Sequence, residues 1–283
     1  VPGGQVWYQV FGARDAIPIL LLHGGPGAGH DYLEPLAALA SDWPVVFYDQ
    51  LGCGRSDQPD DASLWTVDRA VAEVDDVRAG LGLDRIHLFG QSWGGWLAIE
   101  YMARQPSGIL SLILASTSAS IPQFVREAER LKDTLPAGTG DILRRYEATE
   151  DYDNPAYQDA LLVFYRENVC RLDPWPDCVL RTVANLEGNQ VYAVMNGPNE
   201  FTVIGRLKDW DRTAALGTIT VPTLITVGRY DELTPACAET LRAGIPNAQL
   251  HLFENSAHLA HVEETESYLR VVREFLNQVE HGA

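Results

Sequence analysis

"HLFGQSWGGWLAIEYM", residues 87–102, decides the fold: an apolar, strand-like run breaks at a serine set between glycines and resumes as an apolar, helix-forming segment. A strand that turns sharply into a helix brings its backbone against itself two residues either side of the turn. Side chains at positions 90 and 94 would collide there, and both positions are glycine. Such a turn holds the Ser92 hydroxyl clear of the sheet edge at a helix N-terminus, where partial positive charge and free N–H groups favour a developing anion. With a strand before and a helix after, Gly90-Gln91-Ser92-Trp93-Gly94 reads as a nucleophile elbow rather than as a helix N-cap between turn glycines.

Working outward, short β-prone runs ("VWYQVF", "ILLL", "VVFY", "IHLF", "LILA") alternate with helical text at 66–82 and 93–105. That alternation predicts βαβ units around a mainly parallel sheet flanked by helices, an α/β architecture. It returns near the end with "VPTLITVG" (221–228), "QLHLF" (249–253) and a final helix that places Tyr268, Val272, Phe275, Leu276 and Val279 on one face. Between 121 and 211 the text is Glu/Arg-rich and helical, as in "PQFVREAERLKDTLP" and "NPAYQDALLVFYRENVCR". This predicts core residues 1–120, a helical cap over 121–211 inserted between two sheet strands, and the rest of the core over 212–283.

A serine hydroxyl needs a base, and the base needs a carboxylate to orient it. On a sheet carrying such an elbow the order is serine, acid, histidine, each on a loop after a strand. Asp231 in "GRYDELTP" follows one strand and His258 in "LHLFENSAH" follows the last. His261 is the nearest rival base, and Glu232 a rival acid. The turn His23-Gly24-Gly25-Pro26-Gly27 can aim backbone N–H groups at a substrate oxygen. The amides of Gly25 and Trp93 form the expected oxyanion pair, with Gly24 as the alternative.

Composition narrows the partners. Lys and Arg total 21 against 39 Asp and Glu, a net charge of −18, which disfavours nucleic acid and anionic membrane and attracts small cations. No apolar run approaches the roughly 20 residues of a membrane span. No signal-peptide pattern opens the chain, although it starts at Val1 and a removed leader is compatible with that. Cys53, Cys170, Cys178 and Cys237 have neither metal spacing nor the density of a disulfide framework, so reduced thiols, a cytoplasmic location and no metal or cofactor are expected. The oligomeric state is not legible.

The segments "LLHGGPGAGHDYLEPL", "VVFYDQLGCGRSDQP", "GQSWGGWLA", "NGPNEF", "TLITVGRYDELTP" and "NSAH" together resemble the proline iminopeptidase family of α/β-hydrolases. The likeness is greatest to its branch of tricorn-interacting aminopeptidases and bacterial L-amino-acid amidases. It spans nearly the whole chain, and it implies the α/β-hydrolase fold and cleavage of an amide or peptide bond after a free N-terminal residue, through an acyl-enzyme. The triad it implies is Ser92, Asp231 and His258, and the substrate-amine acids it implies are Glu200 and Glu232. Charge logic agrees: a buried ammonium must be met by carboxylates. Such an enzyme is expected to have a bell-shaped pH profile whose acid limb lies at the ordinary histidine value, near ~6.5. A carboxylesterase or lactonase would use the same triad without an acid in the cap, and a non-catalytic receptor would keep the pocket without turnover.

Overall fold

The structure, a computed structural model, describes residues 1–13 and 15–282. Seven strands form one sheet: β1 (Tyr8–Phe11), β2 (Ile19–Leu22), β3 (Val45–Tyr48), β4 (Ile86–Gln91), β5 (Ile109–Ala115), β6 (Thr223–Gly228) and β7 (Ala248–Phe253). Their spatial order is β1-β3-β2-β4-β5-β6-β7, with β1 antiparallel to β3 and every other pairing parallel.

The "ILLL" run shows why these segments are strands without polar alternation. In β2, Leu20 and Leu22 enter the core on one face of the sheet while Ile19 and Leu21 enter the core on the other. Both faces are covered, so every position is apolar. Each of these four fully buried side chains contributes about 1.5–3 kcal/mol relative to exposure.

Helices α1 (Val67–Leu81) and α2 (Trp93–Ala103) link the strands of the first half. Thr66 caps α1 by accepting from the Arg69 amide, and Gly82 ends it with φ +66°. Five α-helices lie between β5 and β6: α3 (Ile121–Lys132), α4 (Thr139–Glu147), α5 (Pro155–Asn168), α6 (Asp177–Leu186) and α7 (Gln190–Met195). Ser120, Asn154 and Asn189 cap α3, α5 and α7 with their side chains. The second half adds α8 (Pro235–Gly244), α9 (Ala260–Glu263) and α10 (Thr265–His281). On α10, Tyr268, Val272, Phe275 and Leu276 are buried as the periodicity predicts, joined by Leu269.

One region has a shape that apolar spacing did not signal: residues Asp31–Ser41 run as 3-10 turns with Pro35 inside. Among the described residues no helix is long and apolar enough to cross a membrane.

Strand order sets where chemistry can occur. The chain steps from β3 on one side of β2 to β4 on the other, so the loops leaving the carboxyl ends of β2 and β4 flank a crevice. The loops after β6 and β7 leave from the same edge of the sheet.

Candidate active site

Ser92 sits between β4 and α2 with φ +56° and ψ −123°, a backbone conformation that a residue with a side chain rarely adopts. A Cβ on Gly90 would run into the Gly94 carbonyl, and one on Gly94 into the Leu22 carbonyl. The collision expected from the sequence is therefore real on both sides of the turn. The turn is pinned from β5: the Ser92 amide donates to Ala115 O and Ser116 O at 3.0 and 3.2 Å, and Thr117 Oγ1 donates to Ser92 O at 2.8 Å.

The loops after β6 and β7 are tied together, Arg229 N donating to Phe253 O at 2.8 Å and Tyr230 N to Ser256 O at 3.0 Å. This brings His258 Nδ1 to 2.8 Å from Asp231 Oδ1, which also accepts from the Leu233 amide at 2.9 Å. Because a carboxylate only accepts, Nδ1 carries the proton and Nε2 is left as the basic nitrogen. Glu232 lies on the other side of the ring, its Oε1 4.0 Å from Nε2, and so does not compete with Asp231 for Nδ1. His261 is differently committed: its Nε2 donates to the Tyr32 carbonyl at 3.1 Å and its ring packs against Tyr32 and Tyr268. Burial pushes its pKa down to about 3. Among the described residues, no hydrogen bond joins Ser92 Oγ to His258; Gln91 Nε2 lies 3.1 Å from His258 Nε2. Such bonds commonly tighten only when substrate binds.

Backbone amides separate the two oxyanion alternatives. Gly24 N already donates to the Tyr32 hydroxyl at 2.7 Å. Among the described residues, the amides of Gly25 and Trp93 donate to nothing in the protein. One side chain links their two segments. Gln50 Nε2 donates to His23 O at 2.9 Å, Gln50 Oε1 accepts from the Trp93 indole at 2.8 Å, and Gln50 N donates to His23 Nε2 at 2.9 Å.

Glu200 is held in a turn knitted by Asn199, whose Oδ1 accepts from the amides of Phe201 and Thr202 and whose Nδ2 donates to Tyr157 Oη at 2.7 Å. Its carboxylate accepts from Tyr192 Oη at 2.8 Å. Glu232 is fully buried, its amide bound to Asn168 O at the end of α5 and its Oε2 without a partner among the described residues. Burial raises the pKa of both acids, and Glu200 and Asp231 raise that of Glu232 further, against the pull of His258.

His258 departs from its expected pKa. Burial alone would lower it, but the charge and hydrogen bond of Asp231, with Glu232 and Glu200 behind it, push it up to about 9. The expectation near ~6.5 ignored three carboxylates around one ring.

The structure thus sets Asp231, His258 and Glu232 together, ties His258 through Gln91 to the turn that carries Ser92, and puts Glu200 near enough for the two charges to act on each other. A hydroxyl, an oriented imidazole, free N–H groups and carboxylates for a cation are the elements of acyl transfer from an amine-bearing substrate. Cys53 is buried, its thiol bonded to Leu51 O at 3.8 Å, and packs in the core. His30, Asp31 and Glu34 cluster at metal-like spacing, but His30 is bonded to Asp49 at 2.8 Å and Arg181 already neutralises Asp31 and Glu34. Periodicity and motif spacing missed Tyr32, Gln50, Gln91 and Tyr192. Each is a polar side chain in an apolar or glycine-rich stretch, the only signal that could have found it.

The α/β hydrolase fold family matches residues 17–265. A proline iminopeptidase of Saccharolobus solfataricus is 45% identical over 280 residues, 98% of this chain and 90% of that relative. Among solved structures, VinJ superposes with a TM-score of 0.95 at 38% identity, covering 99% of this chain and 97% of its own. The proline iminopeptidase of Mycobacterium smegmatis does so with a TM-score of 0.92 at 39% identity, covering 98% and 96%. With likeness of this extent along the whole chain, the protein belongs to the proline iminopeptidase family of the α/β hydrolase fold.

Proposed function

We propose that the protein is a serine aminopeptidase that releases a free N-terminal residue, proline or another small apolar one, from short peptides and amino-acid amides. Ser92 Oγ attacks the carbonyl carbon of that residue while His258 Nε2 takes the hydroxyl proton, and Asp231 holds Nδ1–H and stabilises the imidazolium. The amides of Gly25 and Trp93 bind the oxyanion. His258 then gives the proton to the leaving amine, and water deacylates Ser92 by the reverse sequence. Glu200 and Glu232 hold the substrate ammonium throughout.

One observation carries this reading over an esterase: Glu232 is buried beside the base with an oxygen that nothing in the described protein answers. Burying a carboxylate next to Asp231 with one oxygen unbonded is costly, and an ester or lactone would never repay it; an ammonium does. The family likeness to proline iminopeptidases points the same way. We take residues 121–211 as a cap: the segment bearing α3–α7 leaves from the carboxyl edge of β5 and supplies Glu200. The four free thiols fit a reducing compartment, the cytoplasm.

The test compares alanine and proline 4-nitroanilides with their N-acetylated forms. Acetylation is expected to lower kcat/KM at least about 100-fold by removing the charge that Glu200 and Glu232 bind. Equal rates on free and acetylated substrates would leave the esterase reading ahead. A long, N-terminally blocked peptide is expected to survive intact under the cap, and internal cleavage seen by mass spectrometry would contradict an exopeptidase.

A further inference from the structure

A continuous chain of hydrogen bonds runs behind the crevice and has no part in the chemistry described above. Gly24 N donates to Tyr32 Oη at 2.7 Å, Tyr32 Oη donates to Gln91 Oε1 at 2.5 Å, and Gln91 Nε2 donates to the His258 carbonyl at 3.3 Å, with His258 Nε2 3.1 Å away. Tyr32 and Gln91 are both buried.

Proton counting fixes the direction of this chain. A backbone amide can only donate, so Tyr32 Oη accepts from Gly24 and must place its own proton elsewhere. Burial holds the phenol far above its ordinary pKa, so the proton stays. The acceptor within reach is Gln91 Oε1, which leaves the Gln91 NH2 turned toward His258. The opposite amide orientation would strand the Tyr32 proton and set Gln91 Oε1 against the His258 carbonyl.

We infer that Tyr32 and Gln91 are a positioning pair that acts at both ends of this chain: Tyr32 occupies the Gly24 amide so that, of the glycine turn, Gly25 is the donor that joins Trp93 at the reacting carbonyl, and Gln91 presents N–H donors to the base. The inference rests on the proposed roles of Gly25 and His258. At the oxyanion end, an amide of Gly24 freed from Tyr32 lets the glycine turn rotate, and the Gly25 N–H loses its fixed aim. At the base end, a donor beside Nε2 favours the form of the ring with a lone pair there and opposes the imidazolium. This counters the charges that face His258 from the other elements. Asp231 and Glu232 lie on the loop after β6, and Glu200 lies after α7. His261, on α9, is held neutral by burial and adds no charge of its own.

Two variants test the two ends. In Tyr32→Phe, kcat is expected to fall about tenfold or more, the order of one lost hydrogen bond in a transition state, with KM little changed. The affinity for an α-amino aldehyde, which forms the tetrahedral oxyanion on Ser92, should fall in parallel, while the affinity for the free product amino acid should not. In Gln91→Glu the donor beside Nε2 becomes an acceptor. The acid limb of the pH profile should then rise by about one unit or more, with the loss at pH 7 recovered at higher pH. Gln91→Met, which removes the donor without adding charge, should move the limb in the same direction by less.

The parent enzyme, assayed alongside on alanine 4-nitroanilide, keeps the two levels apart. A parent without turnover refutes the proposed function itself. With an active parent, losses in Tyr32→Phe that strike aldehyde and product affinity equally would overturn the oxyanion half. In Gln91→Glu and Gln91→Met, losses uniform across pH would overturn the base half.

Discussion

Replacing Ser92 with alanine is expected to lower kcat by about 10⁴- to 10⁶-fold, the range over which removal of an activated nucleophile acts, while the protein stays folded. The fold has no stake in the hydroxyl. The Ser92 side chain does not cap α2, and the turn is held by bonds of the Ser92 backbone to the carbonyls of Ala115 and Ser116 and to the Thr117 hydroxyl, all of which alanine keeps. The variant should therefore melt within a few degrees of the parent and still bind product. His258→Ala should cost a similar factor, and the double variant little more than either single one, because nucleophile and base act as a unit. His261→Ala separates the two histidines. Its ring supports Tyr32 and Tyr268, so its loss should lower stability more than the chemical step. Turnover by Ser92→Ala within tenfold of the parent, measured with a burst-free stopped assay on alanine 4-nitroanilide, would refute the assignment.

How far these expectations could be reached from sequence differs from element to element. β2, β4, α1 and the elbow were legible because each is specified locally: a buried strand needs a continuous apolar run, and the elbow needs glycines at 90 and 94 whatever surrounds it. Asp231 and His258 were legible through order along the chain, since a parallel sheet returns every strand's carboxyl end to the same edge. Choosing between His258 and His261 was a different matter. The two histidines are three residues apart, His258 on the loop after β7 and His261 on α9, and three-dimensional partners, a carboxylate for one and a carbonyl for the other, tell them apart. The same holds for Gly24 and Gly25. Tyr32 removes Gly24 from contention through a contact eight residues away that no spacing rule encodes. The pKa of His258 was least legible. Part of it comes from the charge of Glu200, which follows α7 in the chain and acts on the ring through space, so no local reading could place that charge.

That third carboxylate leads to the second large effect. Glu200→Gln or Glu232→Gln removes one partner of a desolvated charge pair, worth about 2–5 kcal/mol, so kcat/KM for a free-amine substrate should fall about 30-fold to several thousand-fold. On an N-acetylated substrate the sign reverses near neutrality. Such a substrate brings no titrating amine, so its pH profile reports the enzyme's base alone. With His258 pushed up to about 9, the parent's rate on it should climb through neutral pH and level off only above that value. Taking away Glu232 removes a negative charge 4.0 Å from Nε2 that stabilises the imidazolium. The pKa of His258 then falls, the limb moves to lower pH, and at pH 7 a larger fraction of the ring is neutral and able to accept the Ser92 proton. A single substitution should thus slow the free-amine substrate and speed the acetylated one in the same buffer. In the proposed site the free amine should make the same adjustment in the parent: an ammonium seated between Glu200 and Glu232 would cancel the charge that holds the proton on His258, so that binding the substrate releases the base. Calorimetric titration of alaninol, an α-amine without a carboxylate, into the parent in buffers of different ionisation enthalpy at pH 7.5 should record proton release that Glu232→Gln diminishes. Parallel losses on both substrates, or a limb that does not move, would show that Glu232 acts on neither the amine nor the base.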